Sequence, residues 1–285
     1  MKKVCVIGYP AKHSLSPVIH NYWLEKYNIE GSYEIREIEP DKFDDFFLNL
    51  HKEGYVGCNV TLPFKEKAFE LSDPFSFTEK VIGAVNTIII EDGRYVGHNT
   101  DAYGFIKNIE KSSKEFDFKK GAAVVLGAGG AARAVINSLL FKDVPEIILL
   151  NRTIEKAENI RNDLHVNIHK NQEFILERLK IIPWEERNEA LAEAKLLVNT
   201  TSLGMVGQPE LDINIDKLPK DALVTDIVYR PLETKLLNQA RERGNPVVDG
   251  LGMLLYQAVP GFELWFKEEN VEVTPELRKK VEAML

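Results

Sequence analysis

The chain lacks several features that mark other classes of protein. Among its 285 residues are only two cysteines, Cys5 and Cys58, and both lie in apolar runs. Two such residues cannot build a disulfide framework, so we expect buried thiols and a reducing, cytoplasmic compartment. Long apolar runs are also missing, since the run after the opening lysines extends only from Val4 to Ile7. That length is too short for a signal-peptide core or a membrane-spanning helix, and no membrane partner is expected.

Basic clusters are scarce as well. The chain has 36 Lys and Arg against 44 Asp and Glu, which gives a formal net charge of -8. Because phosphate backbones are bound by concentrated basic surfaces, no nucleic-acid partner is expected. His165 and His169 have the spacing of one helix face but no third ligand near them in the sequence, so no metal site is predicted. A globular protein with a small-molecule partner is the remaining expectation.

What the chain does have is a regular alternation of short apolar, β-branched runs and longer amphipathic stretches. This pattern is typical of βαβ units, and it predicts the α/β class, with mainly parallel sheets covered by helices. We predict two domains: an α/β domain over residues 1–105, completed by helices over 250–285, and a Rossmann-like domain over 106–249. Their connection is expected in the polar stretch 111–120. An Asp-Gly turn signal predicts a hairpin between the strands Ala84–Ile90 and Arg94–His98.

A glycine-rich turn follows the predicted buried strand Ala122–Leu126 and precedes an Ala-rich helix over Arg133–Leu140. Gly127 permits a tight turn, Gly129 lets a pyrophosphate approach the backbone, and the small Ala132 lets helix and strand pack closely. The helix N-terminus then offers free N–H groups and a positive dipole to the phosphates. An ordinary glycine-rich turn is the alternative. The predicted cofactor contacts in this turn are Gly127, Ala128, Gly129, Gly130 and Ala131.

The end of the next predicted strand, Glu146–Leu150, indicates which dinucleotide is bound. An enzyme specific for NAD carries an acidic residue near this point for the ribose 2′-hydroxyl. Here Asn151, Arg152 and Thr153 follow instead, and Arg152 can pair with a 2′-phosphate unless it is an ordinary surface arginine. Lys156 lies one helical turn beyond Arg152 and can add charge, although a solvated lysine is equally compatible. The sequence therefore favours NADP.

Six further motifs closely resemble those of the shikimate dehydrogenase family, and their order and spacing cover nearly the whole chain. They are SLSP at 14–17, NVTLPFK at 59–65, GAVNT at 83–87, NTD at 99–101, NTTSLGM at 199–205, and DGLGM at 249–253 followed by Gln257. The resemblance implies an oxidoreductase that reversibly reduces 3-dehydroshikimate to shikimate with NADPH, in the biosynthesis of chorismate and aromatic amino acids. The first domain would then bind the substrate and contribute the catalytic residues, and the second would bind NADP.

This reaction needs an acid/base group at the oxygen of the reacting alcohol, because a proton leaves that oxygen as hydride departs. Lys65 is the candidate, since it follows a strand end and a proline turn, where the active-site loops of α/β folds gather. The resemblance pairs Asp101 with it across a cleft, where the carboxylate would hold the ammonium group and accept a hydrogen bond from the substrate. Taken alone, the two residues would be a solvated lysine and a helix N-cap.

The resemblance also implies how the substrate and the nicotinamide are recognised, with hydroxyls for the carboxylate and amides and hydroxyls for the ring. The substrate-binding residues would be Ser14, Ser16, Thr61, Lys65, Asn86, Asp101, Tyr229 and Gln257. The residues near the nicotinamide would be Thr200, Ile227 and Gly250. Local alternatives stay open, such as a helix cap at Ser16 or a turn residue at Asn86. One position departs from the family, which often has an acidic residue twelve positions after the lysine. Here that position is Phe77, with Glu79 close by, so no cofactor contact is assigned to this segment.

Three alternatives to this function stay open. A bifunctional quinate and shikimate dehydrogenase shares the fold and the lysine–aspartate pair, although the serine pair and Arg152 favour shikimate and NADP. A methylenetetrahydrofolate dehydrogenase has a similar two-domain layout but leaves the ring-hydroxyl residues unexplained. A non-catalytic dinucleotide-sensing module would have no need for both Lys65 and Asp101. The sequence does not determine the oligomeric state, for which a homodimer is one expectation.

Overall fold

The computed structural model describes residues 1–167 and 176–285. This part of the chain forms two compact units, residues 1–104 with 254–284 and residues 105–253. Each unit contains one six-stranded sheet with helices between its strands. The predicted α/β class is therefore confirmed.

The chain passes from one unit to the other inside helices rather than in loops. The first crossing lies in the helix Asp101–Ser112, between Gly104 and Phe105, and the second lies in the helix Gly250–Phe266. The prediction that the first connection lies in the polar stretch 111–120 is therefore wrong. The physical reason is that this helix continues to bury apolar side chains beyond the crossing, at Phe105 and Ile109.

One sheet forms the centre of the first unit. Its strands are β1 (Lys2–Gly8), β2 (Gly31–Glu37), β3 (Tyr55–Val60), β4 (Asp73–Pro74), β5 (Thr87–Glu91) and β6 (Arg94–His98). Their order is β2-β1-β3-β5-β6-β4, with β1 parallel to both neighbours and β5 antiparallel to β3 and β6. Thr87 at the start of β5 pairs with Asn59 in β3 and with His98 at the end of β6. The segments that follow β3, precede β5 and follow β6 therefore meet at one edge of the sheet.

Short helices connect these strands. They are α1 (Ser16–Lys26), α2 (Phe43–Leu48), α3 (Lys65–Glu70) and α4 (Phe77–Ile82), and the helix α5 (Asp101–Ser112) follows β6 and leads into the second unit. Part of the core lies between α2 and the segment after β3, where the rings of Phe43 and Phe64 stack with centroids 4.2 Å apart. Helix α4 begins at a capping box, in which Glu79 accepts from the Ser76 N–H and hydroxyl. The Glu79 carboxylate is thus engaged by its own helix, and the Phe77 side chain lies outside the described residues.

The hairpin of the first unit forms where the Asp-Gly signal predicts it. Asp92 and Gly93 have φ of 50° and 77°, as a two-residue turn between twisted strands requires. Strand β5 begins at Thr87 and not at Ala84, because the Ala84 carbonyl accepts a hydrogen bond from the Asn99 side chain at 2.9 Å. The residues before Thr87 are therefore held by side chains of the site described below.

The second unit contains a sheet in which every adjacent pair of strands is parallel. Its strands are β7 (Ala122–Leu126), β8 (Ile147–Asn151), β9 (Leu179–Pro183), β10 (Ala194–Asn199), β11 (Leu223–Asp226) and β12 (Val247–Val248). The order β12-β11-β10-β7-β8-β9 is that of a dinucleotide-binding Rossmann sheet, in which the direction of winding reverses between β7 and β10. Ligands of such sheets bind outside the carboxyl ends of the strands at this reversal.

Three helices accompany this sheet: α6 (Gly130–Phe141), α7 (Ile154–Asn167) and α8 (Lys235–Arg243). Helix α6 begins three residues before the predicted Arg133, because Gly129 takes the N-cap position and accepts from the Arg133 N–H at 3.1 Å. His165 is exposed on α7, whereas His169 lies outside the described residues. In the described ranges, no group of three or more His, Cys, Asp or Glu side chains is placed to hold a metal ion.

Two final helices, α9 (Gly250–Phe266) and α10 (Pro275–Glu282), return the chain to the first unit from residue 254 onward. Trp265 donates from its indole N–H to the Ile88 carbonyl of β5 at 2.8 Å. A Cβ at Gly57 would overlap both of these partners, so β3 needs glycine where α9 packs against it. Within the part of the chain described, no helix has the length and apolar character to cross a bilayer.

Candidate active site

Lys65 and Asp101 lie side by side at the edge of the first sheet where β3, β5 and β6 meet. Lys65 opens α3 shortly after β3, and Asp101 opens α5 shortly after β6. The Lys65 Nζ atom lies 2.5 Å from Asp101 Oδ2, and the two side chains are only 14% and 7% exposed. The Val85 N–H donates to the Lys65 carbonyl at 3.0 Å, which fixes the start of α3 against the segment before β5. A sheltered ammonium group held in this way can exchange a proton with an oxygen placed beside it.

The Asn86 amide links the carboxylate of Asp101 to Gln257. The Asn86 Nδ2 atom donates to Asp101 Oδ1 at 2.9 Å and to Gln257 Oε1 at 3.1 Å. The Asn86 Oδ1 atom accepts from the Thr100 N–H at 2.8 Å, so the amide has donors and acceptors fixed at both ends. Gln257, on α9, is 8% exposed. The structure thus brings together four of the predicted substrate residues: Lys65, Asn86, Asp101 and Gln257.

Ser14 and Ser16 lie on the segment between β1 and α1. The Ser16 N–H donates to Ser14 Oγ at 3.3 Å, and Ser16 is buried at the first position of α1. The start of this segment is held by Glu37 at the end of β2, whose Oε2 accepts from the N–H groups of Ala11 at 2.8 Å and Lys12 at 3.1 Å. The Ala11 hydrogen bond is the main cause that lowers the pKa of the Glu37 carboxyl. The pair of hydroxyls therefore stands on a loop with fixed backbone.

The remaining two predicted substrate residues are placed differently from each other. Thr61 directly follows β3 and donates through its N–H to the Ile7 carbonyl of β1 at 2.9 Å, so it belongs to the same sheet edge as Lys65. Tyr229 lies in the second unit, shortly after β11, and burial raises the pKa of its hydroxyl. Its contact with the substrate carboxylate stays a prediction.

The glycine turn between β7 and α6 is open to a phosphate group. Gly127 has φ of 105°, a conformation that favours glycine, and a Cβ there would lie 2.8 Å from the side chains of Thr200 and Thr201. Gly129 caps α6 without a side chain, and nothing lies within 4 Å of the position its Cβ would take. Because the first N–H groups of a helix have no intrahelical acceptor, those at the start of α6 are available to an anion. Ala128, Gly130 and Ala131 complete the predicted contacts of this turn.

The turn after β8 presents positive charge beside this glycine turn. The two are neighbours because β7 and β8 pair, and the Gly127 N–H donates to the Leu150 carbonyl at 2.8 Å. Asn151 closes the turn by donating from Nδ2 to the Thr153 carbonyl at 2.7 Å. Arg152, Thr153 and Lys156 are all exposed. Two cations and a hydroxyl next to the glycine turn suit a ribose 2′-phosphate.

The three residues predicted near the nicotinamide also follow strand ends of the second sheet. Thr200, after β10, donates from Oγ1 to the Leu126 carbonyl at 2.7 Å, which places it against the glycine turn. Ile227 follows β11, and a Cβ on Gly250 would lie 2.5 Å from the Ile227 carbonyl oxygen. Ile227 and Gly250 are therefore in contact, and their roles toward a cofactor stay predictions.

Two polar groups behind the first site have no role predicted from the sequence. Asn59 lies within the NVTLPFK motif, and its Nδ2 donates to the Asn86 carbonyl and the Thr87 hydroxyl, each at 3.0 Å. The Tyr33 hydroxyl donates to Asn59 Oδ1 at 2.5 Å. Motif membership is a signal that could have found Asn59. Tyr33 has no such signal, because its position is defined only by the pairing of β1 with β2 and β3.

The second unit also contains a buried polar pair, Asn199 and Asp226, to which the sequence assigns no role. Asp226, the last residue of β11, accepts from Asn199 Nδ2 at 3.0 Å, the Val228 N–H at 3.0 Å and the Thr234 hydroxyl at 2.8 Å. Burial raises the pKa of the Asp226 carboxyl to about 6, and these three donors act in the opposite direction. Asn199 belongs to a quoted motif, whereas Asp226 ends an apolar strand and gives no signal by spacing.

A Rossmann sheet with an open glycine turn, together with a sheltered lysine–carboxylate pair, defines the class of nicotinamide-dependent dehydrogenases. Comparison with known families narrows this class. Residues 6–88 match the family model described as the shikimate dehydrogenase substrate binding domain, and residues 110–203 match the one described as shikimate / quinate 5-dehydrogenase. A shikimate dehydrogenase (NADP+) from Dinoroseobacter shibae is 50% identical over 274 residues, which cover 96% of this chain and 94% of that protein. The chain belongs to the shikimate dehydrogenase family.

Solved structures resemble this chain along its full length. A shikimate 5-dehydrogenase from Thermus thermophilus, in complex with NADP(H) and shikimate, has a TM-score of 0.83 and 33% identity, with 100% of both chains covered. A quinate dehydrogenase from Corynebacterium glutamicum, in complex with NAD, has a TM-score of 0.86 and 26% identity, with 99% of both chains covered. The predicted family and fold are confirmed by these similarities.

Proposed function

We propose that this chain is an NADP-dependent shikimate dehydrogenase, which reversibly reduces 3-dehydroshikimate to shikimate in the biosynthesis of chorismate and aromatic amino acids. The observation that supports this best is the pair of Lys65 and Asp101, joined to Asn86 and Gln257 at one edge of the first sheet. Full-length similarity to proteins named for this reaction adds to the support. In this proposal the first unit binds the substrate and the second binds the cofactor.

The residues of the second unit fit NADP at its phosphates. The free space at Gly129 and the start of α6, which has no side-chain cap, suit the pyrophosphate. Arg152 and Lys156 supply positive charge for the 2′-phosphate, and Thr153 adds a hydroxyl. When bound, the reduced cofactor supplies the hydride that the carbonyl carbon of the substrate receives. Thr200, Ile227 and Gly250 would define the shape of the nicotinamide site and would contribute no charge to it.

Lys65 performs the proton transfer of this reaction. During reduction, Lys65 Nζ donates a proton to the substrate oxygen as the carbonyl becomes an alcohol, and in the reverse direction the same atom accepts that proton. Asp101 holds the ammonium group through the 2.5 Å ion pair. Its other oxygen, Oδ1, is oriented by Asn86. With both side chains mostly buried, the pair is sheltered from water, which strengthens its electrostatic interaction.

Recognition of the ring uses short polar groups on fixed backbone. Ser14 and Ser16, with Tyr229, bind the carboxylate through hydroxyl donors, and the loop of the serines is held by Glu37. Thr61, Asn86 and Gln257 bind the ring hydroxyls. Because the Thr100 N–H donates to Asn86 Oδ1, the Asn86 amide is held in one orientation, with its NH2 group toward Asp101 and Gln257.

Oxidation of quinate is the second candidate activity. It is favoured by the family model named for both substrates and by the similarity to a quinate dehydrogenase. The serine pair and the cationic turn at Arg152 favour shikimate and NADP over quinate and NAD. We further propose a cytoplasmic location and a homodimer, and light scattering on a size-exclusion column would distinguish the homodimer from a monomer.

A spectrophotometric assay of nicotinamide reduction tests the proposed function. Purified protein is given shikimate or quinate, each with NADP+ and with NAD+. We expect the highest kcat/KM with shikimate and NADP+. Comparable kcat/KM with quinate would instead support the bifunctional enzyme. Absence of turnover with every pair, in a folded sample that binds NADP+, would contradict the proposal and favour a non-catalytic sensor of the dinucleotide.

A further inference from the structure

Asp226 is a charged side chain buried where the second sheet presents its strand ends. It is 1% exposed, and its carboxylate is satisfied by the three donors described above. Burying a carboxylate costs free energy unless hydrogen-bond donors surround it, and these three hydrogen bonds offset that cost for Asp226. The position is next to the winding reversal of the sheet, because β11 pairs with β10 and β10 pairs with β7.

One route from Asp226 leads through Asn199 to the loop after β10. The two residues are register partners at the ends of adjacent strands. Asn199 directs its Nδ2 to Asp226 and to the Leu203 carbonyl at 3.2 Å, which leaves its Oδ1 to accept from the Thr201 N–H at 3.0 Å and the Thr201 hydroxyl at 2.7 Å. The carboxylate thereby fixes which way the amide points. The amide in turn fixes the loop that contains Thr200.

A second route leads directly along the chain after β11. The Val228 N–H donates to the carboxylate, which holds the backbone immediately after Ile227. The Ile227 N–H donates to the Asn199 carbonyl at 3.1 Å, so this segment and the loop after β10 are also joined to each other. Gly250 lies so close to the backbone carbonyls of Ile227 and Val228 that a Cβ at this position would overlap both of them. One carboxylate therefore organises the surroundings of all three residues predicted near the nicotinamide.

We propose that Asp226 is a positioning residue for the nicotinamide half of the cofactor site, acting through Asn199 on residues 200–203 and through Val228 on residues 227–228. The inference rests on the proposed function, because it takes NADP to bind the second unit. Asp226 itself touches neither substrate nor cofactor in this proposal. The Asn199 amide and the Val228 N–H both donate to Oδ1 of Asp226, and the Thr234 hydroxyl donates to Oδ2. Asp226→Leu keeps a side chain of similar size and removes both acceptor oxygens, so all three donors lose their partner and this arrangement must give way.

Isothermal titration calorimetry with two ligands tests the proposal on the full chain. NADP+ contains the nicotinamide, whereas adenosine 2′,5′-bisphosphate keeps the 2′-phosphate end and lacks it. The loss of both acceptor oxygens in Asp226→Leu should weaken NADP+ binding about tenfold or more, while the Kd of the bisphosphate stays within about twofold. Asp221→Leu is the matched control, since Asp221 is exposed and pairs with Lys195 at 2.6 Å; it should change neither Kd.

Two results with Asp226→Leu would overturn the proposal. One is an unchanged Kd for NADP+, and the other is an equal loss for both ligands, which indicates general damage to the unit. If the wild type binds neither ligand, the proposed function itself fails. Thr201→Val provides a second variant should Asp226→Leu not fold, because it removes one hydroxyl and keeps the branched shape. It should weaken NADP+ alone by about threefold, and an unchanged Kd there also overturns the proposal.

Discussion

Acidification is expected to destabilise the first unit through His20. The ring of this α1 residue is fully buried, and in the described part of the chain neither of its nitrogens has a hydrogen-bond partner. It stacks on Tyr33 with ring centroids 4.1 Å apart and packs against Trp23 and Trp265. In these surroundings burial lowers the pKa of His20 to about 3, although the Asn59 side chain acts in the opposite direction.

The sign and size of the effect follow from the difference between the pKa of His20 in the unfolded chain and its pKa in the folded protein. In the unfolded chain, His20 takes up a proton below its ordinary pKa of 6.5, whereas in the folded protein it stays neutral down to about pH 3. Between these values the unfolded state binds one more proton, so stability falls as the pH falls. Each pH unit costs about 1.4 kcal/mol, which gives about 2 kcal/mol at about pH 5 and about 5 kcal/mol at about pH 3.

Urea unfolding followed by tryptophan fluorescence measures this loss. Trp23 and Trp265 both contact His20, so their emission reports on its surroundings. His20→Phe removes the titration and keeps a ring to stack on Tyr33. Between about pH 7 and about pH 5, the wild type should lose about 2 kcal/mol more free energy of unfolding than this variant. His13→Gln, at an exposed histidine, serves as the control and should follow the wild type. Equal losses in the wild type and His20→Phe would refute the reasoning.

Three further outcomes are expected. Lys65→Ala should lower kcat by about a hundredfold to ten-thousandfold with little change in KM, whereas Lys67→Ala, an ion-paired neighbour, should keep wild-type kcat; equal turnover in both would remove Lys65 from the mechanism. Arg152→Ala should weaken NADP+ by about tenfold or more and NAD+ hardly at all in fluorescence titrations, and equal losses would exclude the 2′-phosphate contact. Because the folded pKa of Asp226 is raised from 3.8 to about 6, its titration removes about 3 kcal/mol of stability as the pH rises through that window. Asp226→Asn should lack this component in urea titrations, and an unchanged slope would contradict the burial argument.

Elements with a clear period could be predicted from the sequence to the residue. The strands β6 and β7 have the predicted bounds, because each is an apolar or alternating run closed by polar or glycine residues. The strand β4 and the helix α4 could not be found in this way, since two and six residues are too few to show a period. For α4, the sequence signal is the spacing of Ser76 and Glu79, which is typical of a capping box at a helix start.

The candidate site divides along a similar line. Lys65 and Asp101 come together because their motifs follow β3 and β6, and strand ends at one sheet edge converge. The supporting contacts depend on register instead. Asp226 meets Asn199 only because β10 and β11 pair in parallel with these residues opposite each other, and spacing along the chain contains no trace of that pairing. Residues proposed to contact ligands are therefore easier to predict from the sequence than the residues that position those contacting side chains.

The discontinuity of the first unit has a consequence for synthesis on the ribosome. Residues 105–253 emerge as one uninterrupted piece, so the second unit can close around its core while translation continues. The sheet of the first unit is synthesised earlier but cannot be completed until later. The Ile88 carbonyl accepts from the indole of Trp265, and the Asn86 amide donates to Gln257, and both of these partners lie near the end of the chain. The part of the protein made first is thus the part completed last. A circular permutant beginning at residue 254 would reverse that order.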